Sequence, residues 1–521
     1  MATGTDEHGM KIQRAANAAQ QNPKDFCDAA AEIFMNLAHE ANISNDHFIR
    51  TTDQSHREAV HYAWHMLSER NYIYTSKHEG WYSVSDETFY PESAIEPRID
   101  PATGRKNMYS METGKIVEFT SELNYHFRLS AFRDRLISLY KDENPNFVLP
   151  QMRHAYILQQ LVSQPLADLS ISRPSERLTW GIPVPHDKSQ TIYVWLDALI
   201  NYLTVAGYPF IPGLESAGGW PADVHVIGKD ILRFHCIYWP AFLMALDLPL
   251  PKNILTHAHW TMNKRKMSKS DGNVVSPTLA LSRFGVDTMR LYLIHDGGLM
   301  DDGDYSNEQV IERYSKLLQG QLGNLLSRVS SKNFDVGDAV LGGAGRPWAQ
   351  AADGNHFTIP GNIGLGQPEW NLTEDDQLQI AALFSLPLQA IEMIENRYDV
   401  PGALKEIMKI ILQTNKYISE AEPWKMAKAL NELPVELGGS EIQKLEQELR
   451  KVIYLCAEGL RVAGIMLQPF MPEKAPELLN RLRVRGDKRG IEWALKVGGD
   501  MEYGQDMTKS KFVLFPPLEV Y

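Results

Sequence analysis

Between Thr191 and His257, short apolar runs alternate with longer helical patterns, and this alternation limits what the chain can fold into more than any other feature. Thr191-Ile-Tyr-Val-Trp-Leu reads as a strand leading into a helix that runs through Tyr202. Val224-His-Val-Ile-Gly leads into an apolar helical stretch, Ile231–Leu246, and Ile254-Leu-Thr-His reads as a third strand. Strands separated by helices cannot close as hairpins. Each must cross over and pair in parallel, which predicts an open α/β sheet.

Upstream, helical patterns cover Lys11–Asn22, Pro23–Ala41 and Ser55–Arg70, with a strand-like Phe48-Ile-Arg-Thr-Thr before the last. Alternating aromatics mark a β-rich piece over 72–118, and helical periodicity returns across Leu123–Tyr140 and Pro150–Gln160. Beyond Asp304 the pattern is almost wholly helical: Asn307–Ser331, Glu374–Arg397, Pro401–Glu420 and Ser440–Leu467. Between Phe334 and Trp370 a Gly-rich stretch without a period reads as a surface loop or disordered excursion. At 521 residues the chain exceeds what one hydrophobic core supports, so several domains are expected.

A hydrophobic content of 44% and a charged content of 22% describe an ordinary soluble globular protein. Cys27, Cys236 and Cys456 form no CxxC pair, which disfavours a disulfide framework and a cysteine-rich zinc site. No apolar run reaches the length of a membrane span, so no membrane partner is expected. A net charge of -13 argues against nonspecific coating of nucleic acid but leaves room for a local basic groove. The opening Met-Ala-Thr-Gly-Thr-Asp-Glu-His-Gly holds neither a signal peptide nor an Arg-rich transit segment. So dense an ionisable cluster reads as the middle of a domain.

Four stretches carry candidate chemistry. Lys266-Met-Ser-Lys-Ser270, followed by the turn signal Asp-Gly-Asn, concentrates positive charge on a loop that can close on a polyanion. Thr5-Asp6-Glu7-His8-Gly9 precedes a helix; Asp6 or Thr5 could cap it, or Asp6 could face a ligand ammonium at a sheet edge. Tyr193-Val-Trp195-Leu-Asp-Ala-Leu199-Ile-Asn-Tyr202 could wall an apolar pocket or simply fill a core. In Gly228-Lys-Asp230-Ile231-Leu-Arg-Phe-His235, the glycine permits close backbone approach and Asp230 suits ribose hydroxyls. His235 lies one helical turn beyond Ile231, on the same face.

Together and in this order, these stretches resemble the methionyl-tRNA synthetase family, whose members read roughly DEHG, YVWLDA, GKDI..FH and KMSKS; the last is a class I synthetase signature. The resemblance implies a Rossmann-like class I catalytic domain with a connective insertion, followed by an all-α anticodon-binding bundle. The implied division is 1–70 and 191–259 for the halves of the catalytic domain, with the insertion and its flanking helices at 71–190. The KMSKS loop and linking domain would follow at 260–320, then the helical domain at 321–521 with its Gly-rich insert at 333–370. It further implies methionine–tRNA ligase activity: ATP, with Mg2+, would activate methionine, which then passes to tRNA(Met). Asp6 would bind the α-amino group, and Trp195, Leu199, Tyr202, Ile231 and His235 would enclose the thioether. Gly228, Asp230 and Ser268 would hold ATP, and Lys266 and Lys269 would neutralise its phosphates in the transition state. The helical half has matching features: Asn324 and Arg328 share a helix face at i, i+4, and Pro423-Trp424 opens a helix. By the resemblance these four residues contact the anticodon.

The insertion-like segments Glu79–Phe89, Glu112–Glu118, Asn124–Ser130 and Leu169–Pro174 lack the cysteines of zinc-carrying members; Ser83 and Thr88 stand in that region, so no structural zinc is expected. His56, His61 and His65 share one helix, the last two at i, i+4; they could offer a zinc pair, but no third ligand is evident and they read as a solvated face. No HIGH-type motif and no phosphate-loop glycine pattern occurs. The sequence therefore reads as lacking the first strands of the class I fold, with weak activity or none. The alternative reading is a catalytically inactive tRNA-binding protein of the same fold. A zinc-free form without an appended tRNA-binding module resembles the organellar type. It implies a monomer in the mitochondrial matrix, with the cytoplasm as the alternative.

Overall fold

The computed structural model describes all residues except 85–87, 91, 100–103, 212, 268–271, 345–348, 351–356, 359–369, 433–438, 506, 508–511 and 519–521. It divides into two compact units. One holds Met1–His39 with Ile43–His257, the other Glu40–Asn42 with Ala258–Tyr521.

In the first unit, Val224–Gly228 pairs in parallel with Asn253–His257, which pairs in parallel with Val148–Leu149. The helical segment between the first two strands supplies the crossover that the sequence demanded. Ala2–Thr5 pairs in parallel with His47–Arg50, joined through the helices Met10–Ala18 and Pro23–Glu40. An antiparallel sheet is inserted into this framework. Its long pair, Ile73–Ser83 against Ile116–Phe127, runs in continuous register from Ile73 opposite Phe127 to Tyr82 opposite Glu118. The helices Gln54–Glu69, Val194–Val205 and Trp239–Leu246 share one core, containing Trp64, Leu67, Leu199, Leu203, Trp239 and Phe242.

Several sequence expectations give way here. Leu123–Phe127 belongs to the long antiparallel strand, and the first α-helix after it is Arg133–Ser138. Hydrogen bonding to residues 73–77, remote in sequence, overrides the local helical pattern. The expected strand Thr191–Leu196 is shifted: the strand is Asp187–Ile192, it is antiparallel to Ser172–Pro174, and Trp195 and Leu196 already lie in a helix. Ile231–Leu246 is not one α-helix. It passes through a single tight turn at Lys229–Ile231 and wide turns at Phe234–Tyr238 before Trp239–Leu246. Pro240 accounts for part of this, because it cannot donate to the carbonyl of Cys236. The Tyr140 hydroxyl donates to that carbonyl instead, at 2.6 Å.

The second unit begins with a small sheet. Trp260–Met262 pairs antiparallel with Arg265–Lys266 and parallel with Gly303–Asp304. The helices Asn307–Arg313 and Asn324–Val329 follow, and Glu374–Arg397, Val400–Ala421 and Gly439–Leu467 build the rest of a helical core. Thr373 and Asp376 form a reciprocal capping box at the start of Glu374–Arg397. The stretch read as an unstructured insert contains a helix, Val336–Gly343, with Val336, Ala339 and Val340 buried in that core. Contrary to the sequence reading, Glu374–Arg397 is long and apolar enough by length and composition to cross a membrane. Its face of Ile380, Leu383, Pro387 and Ala390 is nevertheless buried within the unit.

Candidate functional site

Trp195, Leu199 and Tyr202 recur at i, i+4 and i+7 on the helix Val194–Val205 and so share a face. Leu199 is buried, whereas Trp195 and Tyr202 are partly open. Phe234 stacks on Trp195 with ring centroids 3.7 Å apart and planes inclined by 8°. The His235 ring stands edge-on to Trp195 at 6.2 Å. Tyr202 Oη lies 2.8 Å from His235 Nε2, and His235 Nδ1 lies 3.1 Å from the Ile231 carbonyl. That carbonyl can only accept, so Nδ1 carries the hydrogen and Nε2 accepts from the Tyr202 hydroxyl. Burial holds the His235 pKa down to about 4, leaving the ring neutral at neutral pH. The structure therefore brings Trp195, Tyr202 and His235 into one uncharged aromatic cage, with Ile231 contributing the backbone carbonyl that orients the imidazole.

Two members of this cage were not singled out from the sequence. Phe234 is the stacking partner of Trp195. His225, from the strand Val224–Gly228, packs against Tyr202 with centroids 4.1 Å apart and accepts from Trp239 Nε1 at 3.3 Å. Burial, then the neighbouring His235, lowers its pKa to about 3. Nothing local in the sequence marks His225; its role arises from pairing of the strand beneath the helix.

The Asp6–Gly9 cluster splits by direction. Asp6 is exposed at the end of the first strand. Glu7 is buried: Arg50 donates Nε and Nη2 to its two oxygens at 2.6 and 2.9 Å, and the Thr52 and Thr5 hydroxyls donate at 2.5 and 2.7 Å. His8 is also buried, and its Nδ1 lies 2.6 Å from Asp197 Oδ2. The helix that follows is not capped by Thr5 or Asp6. Its N-cap is Gly9, at φ 101° and ψ 171°, a conformation that only glycine adopts readily.

Asp197 receives a second imidazole at its other oxygen, His56 Nε2 at 2.7 Å, so the solvated-face reading fails for His56. That histidine is fully buried, while His61 and His65 are exposed. Burial by itself would raise the Asp197 pKa, but the charge of His8 and hydrogen bonds from both rings hold it below the usual carboxylate range.

Gly228 ends its strand and Asp230 lies exposed in the single turn after it. In the second unit, Lys266 is exposed on the second strand of a hairpin whose turn residues, Asn263 and Lys264, both have positive φ. Asp304 Oδ1 accepts from Lys264 N at 2.8 Å and Thr261 Oγ1 at 2.7 Å, fixing that turn. Asn273 Nδ2 donates to the Lys266 carbonyl at 3.2 Å and so ties the far end of the loop to its start. Ser268 and Lys269 lie outside the described residues. Among the described residues, no group of three or more His, Cys, Asp or Glu side chains could hold a metal ion.

In the helical core, Asn324 is exposed and Arg328 half-buried on one helix. The Arg328 guanidinium sits over the Trp424 ring, 5.2 Å from its centroid. Trp424 is 39% exposed, enough to offer part of its ring to a partner, and Pro423 is buried at the helix start.

Residues 1–330 match the family model described as tRNA synthetases class I (M). The chain is 48% identical over 520 residues to a Neurospora crassa protein described as a probable mitochondrial methionine–tRNA ligase, covering 99% of this chain and 78% of that one. It is 41% identical over 491 residues to the human mitochondrial methionine–tRNA ligase, covering 94% and 78% respectively. Among solved structures, it resembles methionyl-tRNA synthetase of Mycobacterium tuberculosis bound by methionyl-adenylate. The TM-score is 0.82 at 32% identity, over 99% of this chain and 92% of the other.

Proposed function

This chain belongs to the class I methionyl-tRNA synthetases, and on that premise we propose that it activates methionine with ATP and transfers it to tRNA(Met) in the mitochondrial matrix. The observation that carries the choice of amino acid is the Tyr202–His235 hydrogen bond within the aromatic cage. The Tyr202 hydroxyl hydrogen is taken by His235, and the His235 N–H by a backbone carbonyl. These groups thus offer a side chain aromatic surface and lone pairs, without charge. A thioether suits that lining through its polarizable sulfur, whereas a charged side chain would be buried without a partner. Shape must add to this, since a pocket separates side chains differing by one methylene by only about 1–3 kcal/mol.

Asp6 takes the α-ammonium, and Gly228 and Asp230 take the adenosine. Lys266, Ser268 and Lys269 take the phosphates of ATP, which arrives with its Mg2+. The methionine carboxylate attacks the α-phosphorus, pyrophosphate leaves, and the lysines offset the charge that grows on the leaving group. Trp424 and Arg328 stack and orient unpaired anticodon bases, with Asn324 and Pro423 beside them in the contact. We further read the enzyme as a zinc-free monomer. The sequence-derived expectation of weak or absent activity finds no support in the comparisons.

Methionine-dependent ATP–pyrophosphate exchange by the purified chain tests the proposal, with aminoacylation of tRNA(Met) as the second step. Exchange that requires methionine and fails in Tyr202→Ala supports it. No exchange, with tRNA still bound, overturns it in favour of a binding protein.

A further inference from the structure

Asp197 is fully buried in the first turn of the helix that carries Trp195, Leu199 and Tyr202. A carboxylate in such a place is costly unless each oxygen is matched, and here each oxygen meets one imidazole. His8 comes from the turn after the strand Ala2–Thr5, and His56 from the helix Gln54–Glu69. The other nitrogen of His56 lies 3.0 Å from Thr204 Oγ1, two turns beyond Asp197 on the same helix. His56 therefore grips the pocket helix at two points, and Asp197 passes that grip to His8. The helix N-terminus adds its favourable dipole to the carboxylate.

His8 is two residues from Asp6, so the two backbones lie within about 7 Å of each other. Between them, Glu7 is locked in a different direction by Arg50, Thr5 and Thr52. The segment that presents Asp6 is thus pinned on one side to the neighbouring strand His47–Arg50 and on the other to the pocket helix. A purely space-filling role would be served better by apolar side chains; hydrogen-bonded charge fixes relative position.

We propose that His8–Asp197–His56 is a positioning relay that sets the spacing between Asp6 and the Trp195–Leu199–Tyr202 wall. Asp197 and His56 are accordingly specificity-determining positioning residues for the amino acid, although neither touches it. This rests on the functional reading above, in which Asp6 takes the α-ammonium and the wall takes the side chain. An amino acid spans a fixed distance between those two groups, so displacing one anchor from the other loses binding that neither anchor alone provides.

The test compares binding of methionine and of 4-(methylthio)butanoate, which keeps the thioether and lacks the amine. Calorimetry is run on the full chain and on Asp6→Asn, Asp197→Asn and the double variant. Asp197→Asn is expected to weaken methionine about 10-fold or more, as misplacement of a binding group does, and the amine-free acid by less than about 3-fold. On the Asp6→Asn background it should cost methionine less than about 2-fold, because residues acting through one another are not additive. Equal weakening of both ligands, or losses that multiply in the double variant, overturns the relay. His56→Gln, which can still donate to Asp197 but releases Thr204, should show the same methionine-selective loss, and decides the matter if Asp197→Asn does not fold. If the unaltered chain binds no methionine, or Asp6→Asn leaves binding unchanged, the functional reading itself fails and the relay with it.

Discussion

The Tyr202 hydroxyl donates to His235 Nε2 at 2.8 Å, and this one bond ties the helix Val194–Val205 to the segment that follows the strand Val224–Gly228. It also leaves the imidazole without a free donor, since its other nitrogen is committed to the Ile231 carbonyl. Tyr202→Phe would strand a buried lone pair, at a cost of about 1–3 kcal/mol. The expected outcome is a rise of about 5- to 150-fold in the methionine KM of pyrophosphate exchange, with the ATP KM little changed.

The two buried histidines of the cage make stability depend on pH. Burial lowers both pKa values in the folded chain, to about 4 for His235 and about 3 for His225. Unfolded histidine titrates near about 6.5, so below that pH the unfolded chain binds protons that the folded one refuses. Their contribution to stability is full above about pH 6.5 and declines as the pH falls towards these folded values. Between pH 7 and 5 each should lose about 2 kcal/mol. Urea unfolding followed by tryptophan fluorescence checks this, and His225→Asn, whose amide oxygen can still accept from Trp239, should flatten the slope.

Trp424→Ala removes both the exposed ring and the surface on which Arg328 rests. Base stacking on an aromatic side chain is worth about 1–3 kcal/mol, so tRNA(Met) should bind about 5- to 150-fold more weakly. Pyrophosphate exchange needs no tRNA and should be unchanged. Filter binding and exchange on the same preparation separate the two effects.

Asn273→Ala removes the hydrogen bond from Nδ2 to the Lys266 carbonyl. A single neutral hydrogen bond contributes about 0.5–1.5 kcal/mol, so the exchange rate at saturating substrates should fall about 2- to 10-fold. Loss through methionine KM alone would contradict a role in placing the lysine loop.

Glu458 and Arg461 form a fully buried pair in the helical core, joined at 2.8 and 2.6 Å. The carboxylate also accepts from Gly498 N and Tyr503 Oη, each at 2.8 Å, anchoring the C-terminal segment. Glu458→Gln leaves the guanidinium buried without its charge partner and should destabilise the unit by about 3–5 kcal/mol. Thermal unfolding of the full chain would report this as a lowered or split transition.

The sequence by itself determined the elements whose signals are local. The strands at Val224 and Asn253 and the helix Glu374–Arg397 appear where apolar periodicity places them, because side-chain spacing and caps act within a turn or two. That Trp195 and Tyr202 share one helix face follows from their spacing alone, whereas their meeting with His235 needs the packing of a second element. Leu123–Phe127 and Thr191–Leu196 depart from their local patterns, because a short stretch suits helix and strand equally until a distant partner chooses.

Only the tertiary structure decided which ionisable groups act together. His8 and Asp197 are 189 residues apart, and His56 and Asp197 are 141 apart. His56 looked no different from its exposed neighbours His61 and His65. Burial against a carboxylate is a property of packed elements, and the energy that pairs these groups exists only once folding has excluded water from around them.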